Sequence, residues 1–143
     1  QSKTIERYLA RKLGLLGASE EQAADIDAVT EHVRDIKDKY QKAKGEPDKE
    51  TAVQRFFEVT MPEMMRKLEN AVAIDAGRGS SLVGASLTLA DVTLFVFLND
   101  FFDDKAKALA SIDGCRLLQA SVKAVGATPE IVQYRAARTS MAT

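Results

Sequence analysis

Apolar side chains recur every three or four residues along most of the chain, which is the period of an amphipathic helix. The longest such run predicts a helix from about Glu20 to Lys44, opened by a capping box of Ser19 and Gln22. Its apolar stripe comprises Ala23, Ile26, Val29, Val33, Ile36 and Tyr40. Because no stretch of useful length alternates between apolar and polar residues, the pattern predicts an all-α fold.

Five more helices are predicted, and capping or breaking residues mark most of their ends. The first runs from an N-cap at Ser2 to a stop at Gly14. A third covers about 48–71, and Pro62 is expected to kink it. The remaining three cover about 89–98, about 113–125 and the stretch from Thr128 onward. A loop rich in glycine and serine is expected over 76–86, with a flexible turn at Gly77 and Gly79.

The composition is that of a folded domain without a dominant charge. Of the 143 residues, 45% are hydrophobic, which is enough to bury a core and argues against disorder. Twenty Lys and Arg residues against 21 Asp and Glu leave a net charge of −1, so no global basic field exists to hold nucleic acid or an anionic membrane. The single cysteine, Cys115, cannot build a disulfide framework, and we therefore expect a reducing compartment, the cytoplasm.

The predicted helix over 89–98 is apolar on every side except at Asp91 and Thr93, so we expect it to lie buried among the others. A buried acid is costly unless it has hydrogen-bond partners. Thr88 and Asp91 stand three residues apart at the helix start, where each can satisfy a backbone N–H of the other as a capping box. We predict this structural role for the pair, and a catalytic Asp91 is the alternative.

Five motifs, in their order along the chain, resemble those of the Sigma-like cytosolic glutathione transferases. They are the Gln-Ser stretch of residues 1–10, the linker-like residues 14–17, the Asp-Ala helix of residues 27–35, the Leu-Thr-Leu-Ala-Asp-Val stretch of residues 87–92 and the terminal-helix pattern of residues 122–138. The resemblance implies that residues 20–143 form the helical C-terminal domain of such an enzyme. It also implies that residues 1–14 end a thioredoxin-like domain and that residues 15–19 are the linker. Since the chain begins without a methionine, one residue before a helix cap, we expect it to be a piece of a longer protein.

The resemblance also implies which residues meet the ligand. In such transferases the Gln-Ser pair, here Gln1 and Ser2, holds the γ-glutamyl end of glutathione, and the acid matched by Asp35 reaches that end from the partner subunit of a homodimer. The hydroxyl and free N–H of Ser2 at a helix N-terminus suit an anion. Tyr40 is expected in the wall of the electrophile pocket, and Arg7 at the dimer interface. An ordinary N-cap at Ser2 and a solvated carboxylate at Asp35 are the alternatives.

The implied function is conjugation of the glutathione thiolate to small hydrophobic electrophiles, a detoxification reaction, or a glutathione-dependent isomerisation. In this family a Tyr, Ser or Cys early in the thioredoxin-like domain activates the thiol, so no catalytic residue is expected in this chain. A non-catalytic transferase-like structural or protein-interaction domain is the alternative class. No metal site is predicted, since His32 lacks partners at ligand spacing and is expected on a helix surface. We expect Cys115 to be a quiet, half-buried thiol.

Overall fold

All regular structure in the computed structural model is helical over the residues that it describes, 1–74 and 79–142. The elements are α1 (Ser2–Lys12), α2 (Glu20–Lys44), α3 (Lys49–Arg55), a π-helical turn (Phe56–Thr60), α4 (Met61–Ala73), α5 (Leu89–Asp100), α6 (Lys105–Ala110), α7 (Arg116–Gly126) and α8 (Pro129–Met141). The architecture confirms the all-α prediction, and α2 has the bounds that its apolar stripe predicts.

The helix α5 lies at the centre of the bundle, packed against both α2 and α7. Because its side chains are apolar on nearly every side, Leu94, Phe97 and Leu98 are all fully buried. The α2 stripe meets them in one continuous core, to which it contributes Ile26, Val29, Val33 and Ile36. The prediction that this helix is buried among the others is therefore confirmed.

The helix α1 stands apart from this core. Ile5, Leu9 and Leu13, which share one of its faces, are 59%, 50% and 70% exposed, and Ala10 is its buried residue. Ion pairs join α1 to α2, from Arg7 to Asp27 and from Lys3 to Glu31. The first helix is thus held to the bundle largely by polar contacts along one side, while an apolar face remains uncovered.

The start of α1 differs from the prediction by one residue. Gln1 is the N-cap, and its carbonyl oxygen accepts the first hydrogen bonds of the helix, from the N–H groups of Thr4 and Ile5. Ser2 is consequently the first helical residue, so the prediction of an N-cap at Ser2 is wrong. The end of α1 agrees better with the predicted stop at Gly14, because the helix ends at Lys12. Gly14 has a φ of 70°, a left-handed conformation that glycine adopts without strain.

A π-helical turn takes the place of the simple kink that Pro62 predicts. Proline has no N–H to donate, and its ring crowds the carbonyl four residues earlier, so regular α-helical bonding cannot continue through it. The structure absorbs this just before Pro62, where the N–H of Met61 bonds to the carbonyl of Phe56 in a five-residue step. The predicted helix over 48–71 is therefore divided into α3 and α4, and Asp48 caps α3 by accepting from the N–H of Thr51.

Two other parts of the chain depart from the predictions. The short helix α6 is not predicted, because its six residues carry too little periodicity; Asp104 caps it by accepting from the N–H of Lys107 at 3.1 Å. The helix predicted to begin near Asp113 begins at Arg116. A turn is predicted at Gly77 and Gly79. Gly79 has a φ of 87°, and Gly77 lies outside the described residues.

The linker of residues 15–19 is fixed to the start of α2 by Gln22. The Ser19 hydroxyl accepts from the N–H of Gln22 at 3.2 Å, but Gln22 Oε1 accepts from the N–H of Ala18 at 2.8 Å. The predicted capping box is therefore only half formed. Gly17 is needed beside it, because its φ is 78° and an added Cβ would lie 2.6 Å from the Cβ of Gln22.

Candidate functional site

Ser2 lies in the first turn of α1, at the mouth of a cleft of about 220 Å³ between α1, α2 and α5. The first N–H groups of a helix have no intrahelical acceptor, and the side chain of Gln1 makes no cap hydrogen bond to them. The N-terminus of α1 therefore offers the Ser2 hydroxyl and unpaired N–H groups together, both exposed. Such an arrangement suits a carboxylate, which accepts several hydrogen bonds and is favoured by the helix dipole.

Cationic side chains outnumber acidic ones in the lining of this cleft. Its lining includes four cationic side chains and one acidic one: Lys3, Arg7, Arg34, Lys37 and Glu6. Acids of α2 partner three of these cations, since Lys3 and Arg34 pair with Glu31 and Arg7 pairs with Asp27. Lys37 instead lies over two rings, 5.1 Å from the centroid of Phe101 and 5.8 Å from that of Phe97. The position of Lys37 at this cleft could not be predicted from the sequence, because nothing in the spacing of α2 relates it to α1.

Asp35 is exposed on α2, between the buried residues Val33 and Ile36. The described residues that line the Ser2 cleft do not include it. Since helical geometry turns Asp35 away from the core that Val33 and Ile36 enter, the carboxylate is free to meet another molecule. A single chain therefore does not bring Asp35 to Ser2, although both are expected at the γ-glutamyl end of glutathione.

Arg7 forms an ion pair within its own chain. Its guanidinium forms an ion pair and hydrogen bond with Asp27, and both side chains are about one third exposed. An exposed pair of this kind contributes little to stability. The predicted role of Arg7 at a dimer interface would require this pair to open or to be shared.

Tyr40 lies among aromatic rings at the end of the bundle near the α2–α3 turn. Its ring centroid is 4.9 Å from that of Phe102 and 5.1 Å from that of Phe56, and Lys44 Nζ lies 5.5 Å from it. Burial, with a smaller contribution from the charge of Asp103, raises the pKa of the Tyr40 hydroxyl. The structure therefore places Tyr40 at the edge of the core, where its ring packs against aromatic neighbours.

Asp91 is 1% exposed, and its carboxylate accepts four hydrogen bonds. Thr88 donates to Asp91 Oδ2 from both its N–H, at 2.8 Å, and its hydroxyl, at 3.0 Å, and the reciprocal bond of the capping box is present. Asp91 Oδ1 accepts from the N–H of Leu82 at 2.9 Å and from the Ser121 hydroxyl at 2.7 Å. This carboxylate therefore ties the start of α5 to a loop and to α7, as expected of a structural group.

His32 and Cys115 are residue types that often bind metals or take part in catalysis, but here both have structural surroundings. A hydrogen bond of 2.8 Å joins His32 Nε2 to the carbonyl oxygen of Met64, so the half-buried His32 bridges α2 and α4. Cys115 is 1% exposed rather than half-buried, and burial, followed by the charge of Glu69, raises the pKa of its thiol. Glu69 also caps α7 from α4, accepting from the N–H groups of Leu117 and Leu118.

Within the described parts of the chain, no group of three or more His, Cys, Asp or Glu side chains is placed to hold a metal ion. No helix among those same residues is long and apolar enough to cross a membrane.

An apolar groove separates α2 from α4 on another side of the bundle. It encloses about 480 Å³, and its lining includes Ala28, Val29, Leu68, Ala71 and Val72. Asp25, His32 and Lys67 supply polar atoms at the same groove.

Comparison with known proteins identifies relatives over nearly the whole chain. The family model described as "Glutathione S-transferase, C-terminal domain" matches residues 34–138. Glutathione S-transferase P 1 of Xenopus laevis is 31% identical over 134 residues, covering 94% of this chain and 61% of that protein. A glutathione S-transferase of Dirofilaria immitis is 29% identical over 140 residues, covering 96% of this chain and 64% of that protein.

A solved structure shows the same arrangement of helices. The Pi-class glutathione S-transferase of Onchocerca volvulus superimposes with a TM-score of 0.82 at 27% identity, covering all of this chain and 67% of that one. The chain thus spans about three fifths of the length of the curated relatives above, at 61% and 64%.

Proposed function

The chain belongs to the glutathione S-transferase C-terminal domain family, and from this premise we propose that it is the helical part of a glutathione transferase. We propose further that Gln1 and Ser2 bind the γ-glutamyl end of glutathione. The class names carried by its relatives are P and Pi, so the Sigma-like branch remains a prediction and only the broader family is assigned.

The proposed reaction joins the sulfur of glutathione to a small hydrophobic electrophile. The thiolate donates an electron pair to an electrophilic carbon and forms a C–S bond. In a substitution, a leaving group departs with the displaced electron pair. In an addition, an activated double bond takes up the electrons and then a proton. This chain would hold the γ-glutamyl end of glutathione in place, which raises the effective concentration of the thiolate at the electrophile. The group that lowers the thiol pKa is assigned to a thioredoxin-like domain, and isomerisation would use the same thiolate.

One observation carries this proposal: the start of α1 presents Ser2 and unpaired N–H groups beside a cleft with an excess of cations. Glutathione carries a carboxylate at its γ-glutamyl end, and such a group needs several donors to leave water without loss. Asp35 would contribute a counter-charge to the γ-glutamyl amine, and its exposure on α2 is consistent with reaching a ligand on a second subunit.

The uncovered face of α1 supports the proposal that a thioredoxin-like domain packs there. Ile5, Leu9 and Leu13 stand one turn apart, and each is at least half exposed. Three neighbouring aliphatic side chains on a helix with such a distinct apolar face are normally buried against another element. In this proposal residues 1–14 complete that domain, residues 15–19 link it, and residues 20–143 form the helical domain.

The groove between α2 and α4 supports a homodimer. Its volume of about 480 Å³ and its apolar floor of Val29, Leu68 and Val72 suit an apolar side chain from a second subunit. A twofold axis near these helices would present the groove twice, once to each subunit. It would also direct Asp35 of one subunit towards the Ser2 site of the other. Because Arg7 is engaged by Asp27, the groove is the stronger basis for this proposal.

The cytoplasm is the proposed compartment. Cys115 is the single cysteine of the chain, and its thiol is buried without a disulfide partner. Such a cysteine is compatible with a reducing environment and contributes to the α7 start as a small apolar side chain.

Calorimetric titration of the full-length protein with glutathione tests the proposed site. We expect Ser2→Ala to weaken binding by about 1 to 3 kcal/mol, or about 5- to 150-fold in Kd, because a charged partner loses a hydrogen bond. Thr4→Ala is the matched control, since it removes a hydroxyl from an exposed position on the same helix.

Unchanged affinity in Ser2→Ala would refute the assignment of Ser2. Failure of the unmodified full-length protein to bind glutathione at all would refute the transferase proposal and favour a non-catalytic interaction domain. Binding that is lost equally in both variants would show that the start of α1, rather than the Ser2 hydroxyl, has been disturbed.

A further inference from the structure

Lys37 differs from the other cationic side chains that line the Ser2 cleft. The other three are paired with acids of α2, whereas no ion pair joins Lys37 to an acid within residues 1–74 and 79–142. Its side chain is half-buried, so its ammonium group is partly removed from water without a counter-charge. Since an unpaired charge is costly to bury, this position favours an anionic group on a ligand.

The ion pairs between α1 and α2 show where Lys37 lies relative to the start of α1. Arg7 pairs with Asp27 and Lys3 pairs with Glu31, so the two helices run in opposite directions. The N-terminus of α1 therefore points towards the later turns of α2. Lys37 follows Glu31 by six residues, a rise of about 9 Å along the helix. An anion at the start of α1 and a second anion at Lys37 would thus meet different donors.

Apolar side chains lie beside Lys37 in the same cleft. Val33 is one turn earlier on α2 and 1% exposed, and the half-buried Leu89 faces the cleft from α5. Thr93, one turn after Leu89, adds a hydroxyl to the lining. A flat apolar group on Val33 and Leu89 would therefore place a polar substituent within the reach of Lys37.

Two aromatic rings hold the Lys37 ammonium in position. Its Nζ lies 5.1 Å from the centroid of Phe101 and 5.8 Å from that of Phe97, which is fully buried. Phe101 also contacts Tyr40, with ring centroids 6.0 Å apart. Lys37 thus stands between the proposed glutathione site and Tyr40, the residue expected in the wall of the electrophile pocket.

From these contacts we infer that Lys37 determines substrate specificity by selecting electrophiles that carry a carboxylate or a similar anionic group. This inference rests on the proposed transferase function and names a substrate class for it. The apolar part of the electrophile would lie against Val33 and Leu89. Its anionic group would accept a charge-assisted hydrogen bond from the Lys37 ammonium.

The test uses two electrophiles that differ only in charge. They are 4-chloro-3,5-dinitrobenzoate and its methyl ester, which has the same ring and leaving group. In both, the glutathione thiolate forms a C–S bond to the carbon that bears chlorine, and chloride departs with the bonding electron pair. The proton of the thiol passes to solvent when the thiolate forms. The carboxylate stands on the opposite side of the ring and takes no part in bond making.

Steady-state kinetics of the full-length protein at saturating glutathione give kcat/KM for each electrophile. We expect Lys37→Met to lower the ratio of kcat/KM for the acid to that for the ester about tenfold, mainly through the KM of the acid, because a hydrogen bond to a charged group is lost. Lys37→Arg keeps the charge and should hold the ratio within about threefold. Lys39→Met is the matched control, an equal change in charge at an exposed position of α2 outside the cleft, and should change the ratio less than about twofold.

Two kinetic results would overturn the inference and leave the transferase proposal standing. One is conjugation of both electrophiles with a ratio that Lys37→Met does not change. The other is an equal fall of the ratio in Lys37→Met and Lys39→Met, which would indicate a general effect of net charge. A full-length protein that conjugates neither the acid nor the ester would instead refute the transferase proposal, and the inference with it.

A binding measurement without turnover provides an independent check. The compound 3,5-dinitrobenzoate has no chlorine to lose, so calorimetry in the presence of glutathione reports its affinity alone. We expect Lys37→Met to raise its Kd about tenfold and that of its methyl ester less than about twofold. Equal weakening of the acid and the ester would overturn the inference, since it would indicate a change in the shape of the cleft rather than the loss of a charge.

Discussion

The helices α1 and α5 both carry aliphatic side chains in register, yet they are stabilised in opposite ways. The side chains of Leu94 and Leu98 in α5 are fully buried, and an acid at its start is bonded to three separate segments. In α1, Leu9 and Leu13 are at least half exposed, and ion pairs supply much of its attachment to α2. The difference supports the proposal that α5 organises the helical domain, whereas α1 belongs to a surface that a thioredoxin-like domain covers.

The comparison bears on function, because the proposed ligand site lies at the weakly held helix. Ser2 is on α1, and the cleft it shares with Lys37 lies between α1 and the well-packed bundle. A binding site placed at the junction of two bodies can combine groups from both, and such junctions are common positions for ligand sites. The bundle would thus supply a rigid support, and α1 the groups that touch glutathione.

The largest predicted effect comes from removing the acid that anchors α5. Asp91→Ala leaves the buried donors of Leu82, Thr88 and Ser121 without an acceptor, so we expect it to lower the free energy of unfolding by about 3 to 4 kcal/mol. Urea titration of the chain measures it, with Asp91→Asn as the control that keeps one acceptor oxygen. A loss below about 1 kcal/mol would contradict the structural role.

A smaller effect is expected at α1. Ile5→Gln combined with Leu9→Gln should change the free energy of unfolding of this chain by no more than about 0.5 kcal/mol, because both positions are exposed. Leu94→Ala in α5, the buried comparison, should cost about 2 to 5 kcal/mol. In the full-length protein we expect the α1 change to cost about 2 to 4 kcal/mol, since the proposed thioredoxin-like domain covers that face. Equal effects of the α1 change in both proteins would contradict that packing.

Local patterns were enough to predict α2 and the capping pair of Thr88 and Asp91. The bounds of α2 follow from its apolar spacing and Ser19, and the reciprocal bonds of Thr88 and Asp91 follow from residues three apart. The other partners of Asp91 could not be predicted, because Ser121 lies 30 residues away and Leu82 contributes a backbone N–H that any residue type would offer.

The remaining differences also have physical causes. Proline at position 62 predicts a break but does not determine that a π-helical turn absorbs it. The pairing of Arg7 with Asp27 depends on how α1 lies against α2, which helical periodicity does not specify. For the same reason, Ser2 could be proposed as a ligand group from its motif, while the cations around its cleft became evident only from the fold.

Hydrogen exchange of the full-length protein, with and without saturating glutathione, tests the central proposal most directly. We predict that glutathione slows exchange at the start of α1, at Ser2 and Lys3, because the ligand covers N–H groups that have no intrahelical acceptor. Amides of α5 should exchange slowly in both states and change little, since their protection comes from the buried core. Glutathione binding that leaves the first turn of α1 unchanged, or that protects α5 instead, would contradict the account.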